Sequence, residues 1–240
     1  MGLYTIFGIN GIGKDTVAEE IRKKRQNIEV TSLSRLLMFI LGISKSYDVR
    51  EKIDEEQYKK LEETPQSTMR SIEDNEYRQL LEQLAKGDKD VIFLPHLITA
   101  LRLGNNVEFL EDRKTPDWFV DINDKLIQLV APAPIVAERR HKDKTRRRCY
   151  EIDEIIKHQE LCTKEWERIK RKDYYTAKKM SVVENIDLNQ AVREVENIIF
   201  TRNKGNRAKF VQGLRVQIGC CDKKINNGSI IERGEEGNER

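Results

Sequence analysis

Residues 3–24 read LYTIFGINGIGKDTVAEEIRKK, and this stretch decides the fold. LYTIF (3–7) is a short continuous apolar run, the mark of a strand buried on both faces. TVAEEIRKKR (16–25) has the composition of a helix. Between them Gly8, Gly13 and Lys14 satisfy G-x-x-x-x-G-K, a pattern that gains meaning only in this order of strand, loop and helix. Glycines let the backbone turn until successive N–H groups converge, and the first turn of the helix adds partial positive charge. Such a loop suits phosphate oxygens, with Lys14 as a mobile point charge. Asp15 stands where the simplest form of the pattern has Ser or Thr, and the hydroxyl follows one place later at Thr16.

Outward from this unit the chain alternates strands with helices. IEV (28–30) reads as a second short strand, and SLSRLLMFILGI as a helix capped by Ser32 or Ser34. The polar stretch 44–90 has helical composition with a break at Pro65. VIFL (91–94), after the turn cluster AKGDKD, has the profile of a central strand. Residues 104–124 read as irregular, and LIQLVAPAP offers a further strand that must end by Pro132, because proline donates no ladder hydrogen bond. A charged helix spans about 150–172, with Ile152, Ile155, Ile156, Gln159 and Cys162 as its less polar stripe. SVVEN (181–185) reads as a last strand. DLNQAVREVENIIF closes the pattern, with Asp187 and Gln190 as a capping-box pair. The expectation is an α/β fold with a central parallel sheet of about five strands covered by helices on both faces.

Composition narrows the function. Charged residues are 35% of the 240, but of mixed sign, for a net charge of +3. Residues 201–240 hold nine Lys/Arg against five Asp/Glu, so the first 200 residues are close to neutral. A near-neutral body carries no general mandate to bind nucleic acid, which leaves the basic tail as the segment for such contact. That tail, with its Gly, Asn and mixed charge, is expected to be a flexible appendage. Cys149, Cys162, Cys220 and Cys221 form no CxxC pair, and no His stands at zinc-finger spacing. The longest apolar stretch, LLMFILGI (36–43), is too short to span a bilayer, and the N-terminus has no basic region of a signal peptide. A soluble cytoplasmic protein without a membrane partner is expected.

The displaced hydroxyl points to a family. The loop resembles those of P-loop nucleoside-monophosphate kinases, which commonly read G-x-x-G-x-G-K-x-T; Gly8, Gly11, Gly13, Lys14 and Thr16 match that form. Over roughly residues 1–200 the chain is similar to archaeal-type adenylate kinases. TSLSRLLMF lies where that family begins its monophosphate-binding segment, and ERRHKDKTRRRC matches its Arg-rich lid. FLPHL (93–97) sits where the family has Asp-Thr-His, with His96 matching the His and Leu94 replacing the Asp. IDEIIKHQE matches a helix with His-Gln, but Cys162 and Thr163 replace the Asn-Arg that follows, with Lys164 adjacent.

The resemblance implies a three-layer P-loop kinase domain over 1–200, with an acceptor-binding helical insertion at about 31–90 and a lid at about 138–150. It implies ATP and Mg²⁺ as cofactors and a nucleoside monophosphate, AMP foremost, as acceptor. Gly8, Asn10, Gly11, Ile12, Gly13, Lys14, Asp15, Thr16 and Arg140 would hold ATP, Asp15 through its backbone N–H and Thr16 beside the nucleotide's Mg²⁺. Lys14, Arg139, Arg146 and Arg148 would stabilise the transferring phosphoryl, and Ser32, Arg35 and His96 would serve the acceptor. The lid also has chemistry of its own, since residues 138–148 hold seven Lys/Arg against Glu138 and Asp143. Guanidinium can bridge two anionic oxygens of a transferring group. His96, beyond a strand's C-terminal end, is well placed for a ligand in an open α/β sheet. His158, Trp118 and Trp166 read as packing residues. Two acceptor alternatives stay open: another nucleotide or a small hydroxylated metabolite. So does a low-turnover ATP-binding regulator, which Leu94 favours because a metal-supporting acid is missing there.

Overall fold

In chain order the elements are β1 (Leu3–Phe7), α1 (Lys14–Lys24), β2 (Ile28–Ser32), α2 (Leu33–Ile40), α3 (Glu55–Glu62), α4 (Gln66–Asp74), α5 (Glu76–Lys86), β3 (Asp90–Leu94), β4 (Ala100–Leu103), β5 (Asn106–Phe109), α6 (Asp117–Ile122), β6 (Lys125–Val130), α7 (Ala133–Lys142), α8 (Ile152–Lys170), α9 (Tyr174–Lys179), β7 (Met180–Glu184) and α10 (Leu188–Phe200). This computed structural model describes residues 1–103, 106–111, 114–143 and 151–201. The chain divides into two units, Met1–Arg202 and Asn203–Arg240. The second carries most of the basic tail and lies outside the described residues.

The first unit is an α/β domain. Its sheet runs β2-β3-β1-β6-β7, parallel throughout. β1 is central because both its neighbours must bury it: Leu3, Ile6 and Phe7 are 1% exposed or less. Register aligns the C-terminal ends, with Ser32 opposite Leu94 and Phe7 opposite Gln128. The loop after β1 therefore opens at the sheet edge where ligands of open α/β sheets bind. Tyr47–Val49 runs along the outer side of β2, through a Thr31–Asp48 bridge and a Val49 N–H to Val30 carbonyl bond of 3.1 Å.

Helices cover both faces. α1 packs with α10 on one, burying Val17, Ile21, Val192 and Val195. On the other, Phe7 and Phe93 meet edge-on rings from α6 and α8 and a tilted Tyr77 from α5: Phe7 lies 6.1 Å from Trp166 and 6.0 Å from Phe119, and Phe93 lies 5.9 Å from Phe119 and 6.0 Å from Tyr77. Offset and edge-on aromatic pairs add to what area burial alone supplies. Trp118 sits edge-on to Tyr77 and Phe119, so both tryptophans pack rather than stand as platforms for a base.

Local chemistry starts the helices. Ser32 caps α2 by accepting from the Arg35 N–H at 3.4 Å, and Asp54 with Gln57 forms a capping box at α3. Pro65 precedes α4, where its missing N–H costs nothing. At α10 Asp187 accepts from the Gln190 N–H at 2.7 Å, but the Gln190 amide turns to Glu194 at 2.9 Å. Half of the expected box is therefore made, with the Gln190 side chain bonded one turn on to Glu194 rather than back at the N-cap.

Three features depart from the sequence reading. Residues 104–124 hold β5 and α6, and β4 pairs antiparallel with β5. ALRLGNNVEF carries the hairpin signal, a Gly-Asn pair between two short runs. A short helix, α9, precedes β7. On α8, Ile152 and Ile156 are 44% and 40% exposed, whereas Ile155, His158, Leu161, Cys162, Glu165, Trp166 and Ile169 are buried. The buried stripe includes His and Glu because each finds partners inside. Glu165 accepts from the Thr115 N–H at 2.7 Å and pairs with Arg168, which itself donates to the Thr115 carbonyl at 2.8 Å.

Candidate functional site

The loop Gly8–Gly13 leaves β1 and enters α1 through two glycines in left-handed backbone, Gly11 at φ 82° and Gly13 at φ 96°. Only glycine adopts that region without strain, so the turn requires both. Space requires them too: a Cβ on Gly11 would lie 2.6 Å from Arg140 Cγ, and one on Gly13 would lie 2.7 Å from Asn185 Nδ2.

Four of the loop's carbonyls are engaged, those of Gly8, Asn10 and Ile12 by side chains. The Gly8 carbonyl accepts from Lys14 Nζ at 2.6 Å and lies 3.1 Å from His96 Nδ1. The Asn10 carbonyl accepts from Arg140 Nε at 2.8 Å. The Ile12 carbonyl accepts from Arg139 Nη1 at 3.1 Å and Asn185 Nδ2 at 2.7 Å. The Ile9 carbonyl takes the Ile12 N–H at 3.2 Å. The first turn of α1 follows directly, and N–H groups and a dipole at a helix start suit an anion.

Lys14 is buried, its ammonium folded onto the Gly8 carbonyl and 3.4 Å from His96 Nδ1. Asp15 and Thr16 are exposed in the first turn of α1. Asp15 thus offers a backbone N–H at the helix start while its carboxylate faces out. Ser32 and Arg35 lie at the same sheet edge, but in this structure the Ser32 hydroxyl caps α2 and Arg35 Nη2 donates to the Val49 carbonyl at 3.3 Å. The structure brings Lys14, His96, Arg139 and Arg140 together around the loop. Arg146 and Arg148 lie outside the described residues.

These residues fit a polyphosphate. For Mg²⁺ the fit is narrower: Thr16 presents a hydroxyl in the first turn, while at the end of β3 the side chain is Leu94, 2% exposed. Among the described residues no three His, Cys, Asp or Glu side chains gather as a metal site.

Sequence reasoning missed Asn185. It is 2% exposed, directly after β7, and its N–H donates to the Val130 carbonyl at 2.8 Å. Its signal was position alone, one place past a strand's C-terminal end.

His158 is structural. Its Nε2 lies 2.8 Å from the Ile98 carbonyl and its ring tilts over Phe109 at 5.0 Å. Burial lowers its pKa to about 4, outweighing the bond to Ile98, with the Arg140 and Lys14 charges acting in the same direction as burial. Burial likewise pushes the Cys162 thiol up to about 12. Because the folded pKa of His158 lies below the unfolded value of about 6.5, the unfolded chain binds the proton first. Its neutral form contributes stability above about pH 6.5, and that contribution is lost as pH falls through about 4. Urea midpoints at pH 7 and pH 4.5 should therefore differ less in His158→Gln than in wild type; equal differences would contradict this account.

Among the described residues no helix is long and apolar enough to cross a membrane. No protein-family model matches the chain, and no curated protein sequence matches it. Solved structures similar to it include shikimate kinase from Bacteroides thetaiotaomicron, at 13% identity over 82% of this chain and 98% of that one, with a TM-score of 0.48. A gluconokinase from Sinorhizobium meliloti is 12% identical over 82% of this chain and 91% of that one, with a TM-score of 0.42. The tunicamycin resistance protein of Deinococcus radiodurans is 11% identical over 83% and 95%, with a TM-score of 0.48. Likeness at this level bears on neither substrate nor activity.

Proposed function

We propose that the chain is a cytoplasmic ATP-dependent phosphotransferase that moves the γ-phosphoryl group to a nucleoside monophosphate, AMP foremost. The observation that carries this is the loop itself: glycines in left-handed backbone, carbonyls engaged by side-chain donors, and the N-terminal turn of α1 directly after them. That arrangement supports a polyphosphate ligand.

In this reading the N–H groups of the loop and α1 orient ATP, and Lys14 leaves the Gly8 carbonyl to follow charge on the outer phosphates. Arg139 and Arg140, expected to meet the transferring phosphoryl and ATP, donate instead to the Ile12 and Asn10 carbonyls and hold the loop in shape, and Arg146 and Arg148 supply the lid's positive charge. Arg35 takes the acceptor's phosphate. Mg²⁺, when bound with ATP beside Thr16, neutralises phosphate charge. No covalent intermediate is needed, because positioning and charge stabilisation carry phosphoryl transfer.

The test is ADP production from Mg·ATP by purified protein against a panel of nucleoside monophosphates, shikimate and gluconate. Activity confined to AMP is the expected result. Activity only with a hydroxylated metabolite moves the acceptor and leaves the donor site in place. ATP binding without acceptor-stimulated turnover supports the second reading, a low-turnover nucleotide-binding protein, which Leu94 favours.

Asp15 supplies a further check. Its exposed carboxylate lies next to Thr16 and could be asked to replace the acid missing at Leu94. In this reading position 15 serves the phosphates through its backbone N–H, so Asp15→Ser should leave the Mg²⁺ dependence of turnover unchanged. A rightward shift of that dependence would show that Asp15 does support the ion.

A further inference from the structure

We infer that Asn185 is a positioning residue for the phosphate loop, tying it to the far edge of the sheet; the inference rests on the nucleotide reading of that loop. Asn185 belongs to neither the loop nor the lid. Its backbone N–H continues the β6–β7 ladder at the Val130 carbonyl, 2.8 Å away, so its main chain is fixed by the sheet. From there the side chain reaches the Ile12 carbonyl, 173 residues earlier, at 2.7 Å. Only Nδ2 can donate to a carbonyl, which settles the orientation of the amide.

The same amide stands 2.7 Å from where a Cβ on Gly13 would be. It therefore bears on the loop twice, by a hydrogen bond to Ile12 and by contact with the residue that must take left-handed backbone to start α1. Arg139 shares the Ile12 carbonyl at 3.1 Å and donates to the Ile186 carbonyl at 3.3 Å, so the loop, α7 and the segment after β7 meet at one acceptor.

The chemistry of this side chain is poorly explained by packing. Its Oδ1 is buried with no hydrogen-bond partner. An orphaned buried acceptor destabilises the fold, and an apolar side chain of similar volume would avoid that penalty. Leucine would fill the space and lose the tie to Ile12. Stability and phosphate binding should therefore respond differently to the same substitution.

The experiment uses Asn185→Leu and Asn185→Asp in the full chain, with tripolyphosphate and ATP as separate probes in calorimetric titrations and thermal melts alongside. Asn185→Asp keeps the shape but sets an oxygen against the Ile12 carbonyl, so it should fail to rescue. The expected result is a loss of affinity of about tenfold in both variants, equal for tripolyphosphate and ATP, with Asn185→Leu melting within a few degrees of wild type. Equal loss for the two probes places the effect at the phosphate loop. Unchanged affinity for both probes would overturn the assignment. So would loss for ATP alone, which would place Asn185 against the nucleoside instead. A melting temperature that falls in step with affinity in Asn185→Leu would reduce the residue to a structural one. Wild-type protein that binds neither probe would remove the nucleotide reading itself, a failure distinguishable from the others.

Discussion

Lys14→Ala protein is expected to lose phosphoryl transfer by roughly 10²- to 10³-fold while keeping its fold, the size of effect seen when one preorganised donor is taken from a developing charge. The ammonium of Lys14 is buried and held by the Gly8 carbonyl at 2.6 Å, poised within the loop that would cradle the phosphates. A point charge at that place can follow negative charge as it moves from donor to acceptor oxygens, which no backbone N–H can do. Removing it leaves the Gly8 carbonyl near His96 Nδ1, 3.1 Å away, so the loop keeps a neighbour there and the melting temperature should change little. Steady-state ADP release with the acceptor identified in the panel is the measurement. Turnover within about threefold of wild type would show that the loop is no catalytic phosphate site, since loss of one charge-stabilising donor costs far more.

The second large effect is at Gly13. Gly13→Ala is expected to destabilise the domain by about 2–4 kcal/mol and to remove detectable ATP binding. Two independent costs meet there. The backbone at φ 96° strains any residue with a Cβ, and the new methyl would press on the Asn185 amide at 2.7 Å. Asn185 cannot step aside freely, because its backbone is held by Val130 and its side chain by Ile12. Chemical denaturation with ATP titration would measure both losses. Stability within about 0.5 kcal/mol of wild type, the range of neutral surface substitutions, would refute the account.

Much of this was legible in the chain because its signals are local. LYTIF followed by glycines, Lys14 and a helix specifies strand, loop and helix from neighbouring residues alone. Pro65 and Pro132 mark breaks through a missing donor, and Asp187 caps α10 through a contact three residues away. The α8 stripe was not legible in the same way. Glu165 looks like a surface residue until Thr115, 50 residues distant, offers it a partner, and nothing local names the Ile98 carbonyl as the one that His158 meets. Hydrophobic periodicity ranks Ile152 and Ile156 above them, because it counts side-chain type and cannot count a distant carbonyl.

The residues of the candidate site divide along the same line. Gly8, Gly13, Lys14 and Thr16 are determined by the sequence itself, since a phosphate loop is built from adjacent backbone N–H groups and needs specific residue types at adjacent places. The positions of Arg139, Arg140 and Asn185 behind that loop were decided by tertiary structure. Each acts on a carbonyl more than 120 residues away, brought near only when β6 and β7 pair beside β1. One asparagine among many in a polar chain carries no local mark of that role; the parallel sheet, by aligning the C-terminal ends of its strands, is what turns it toward Ile12.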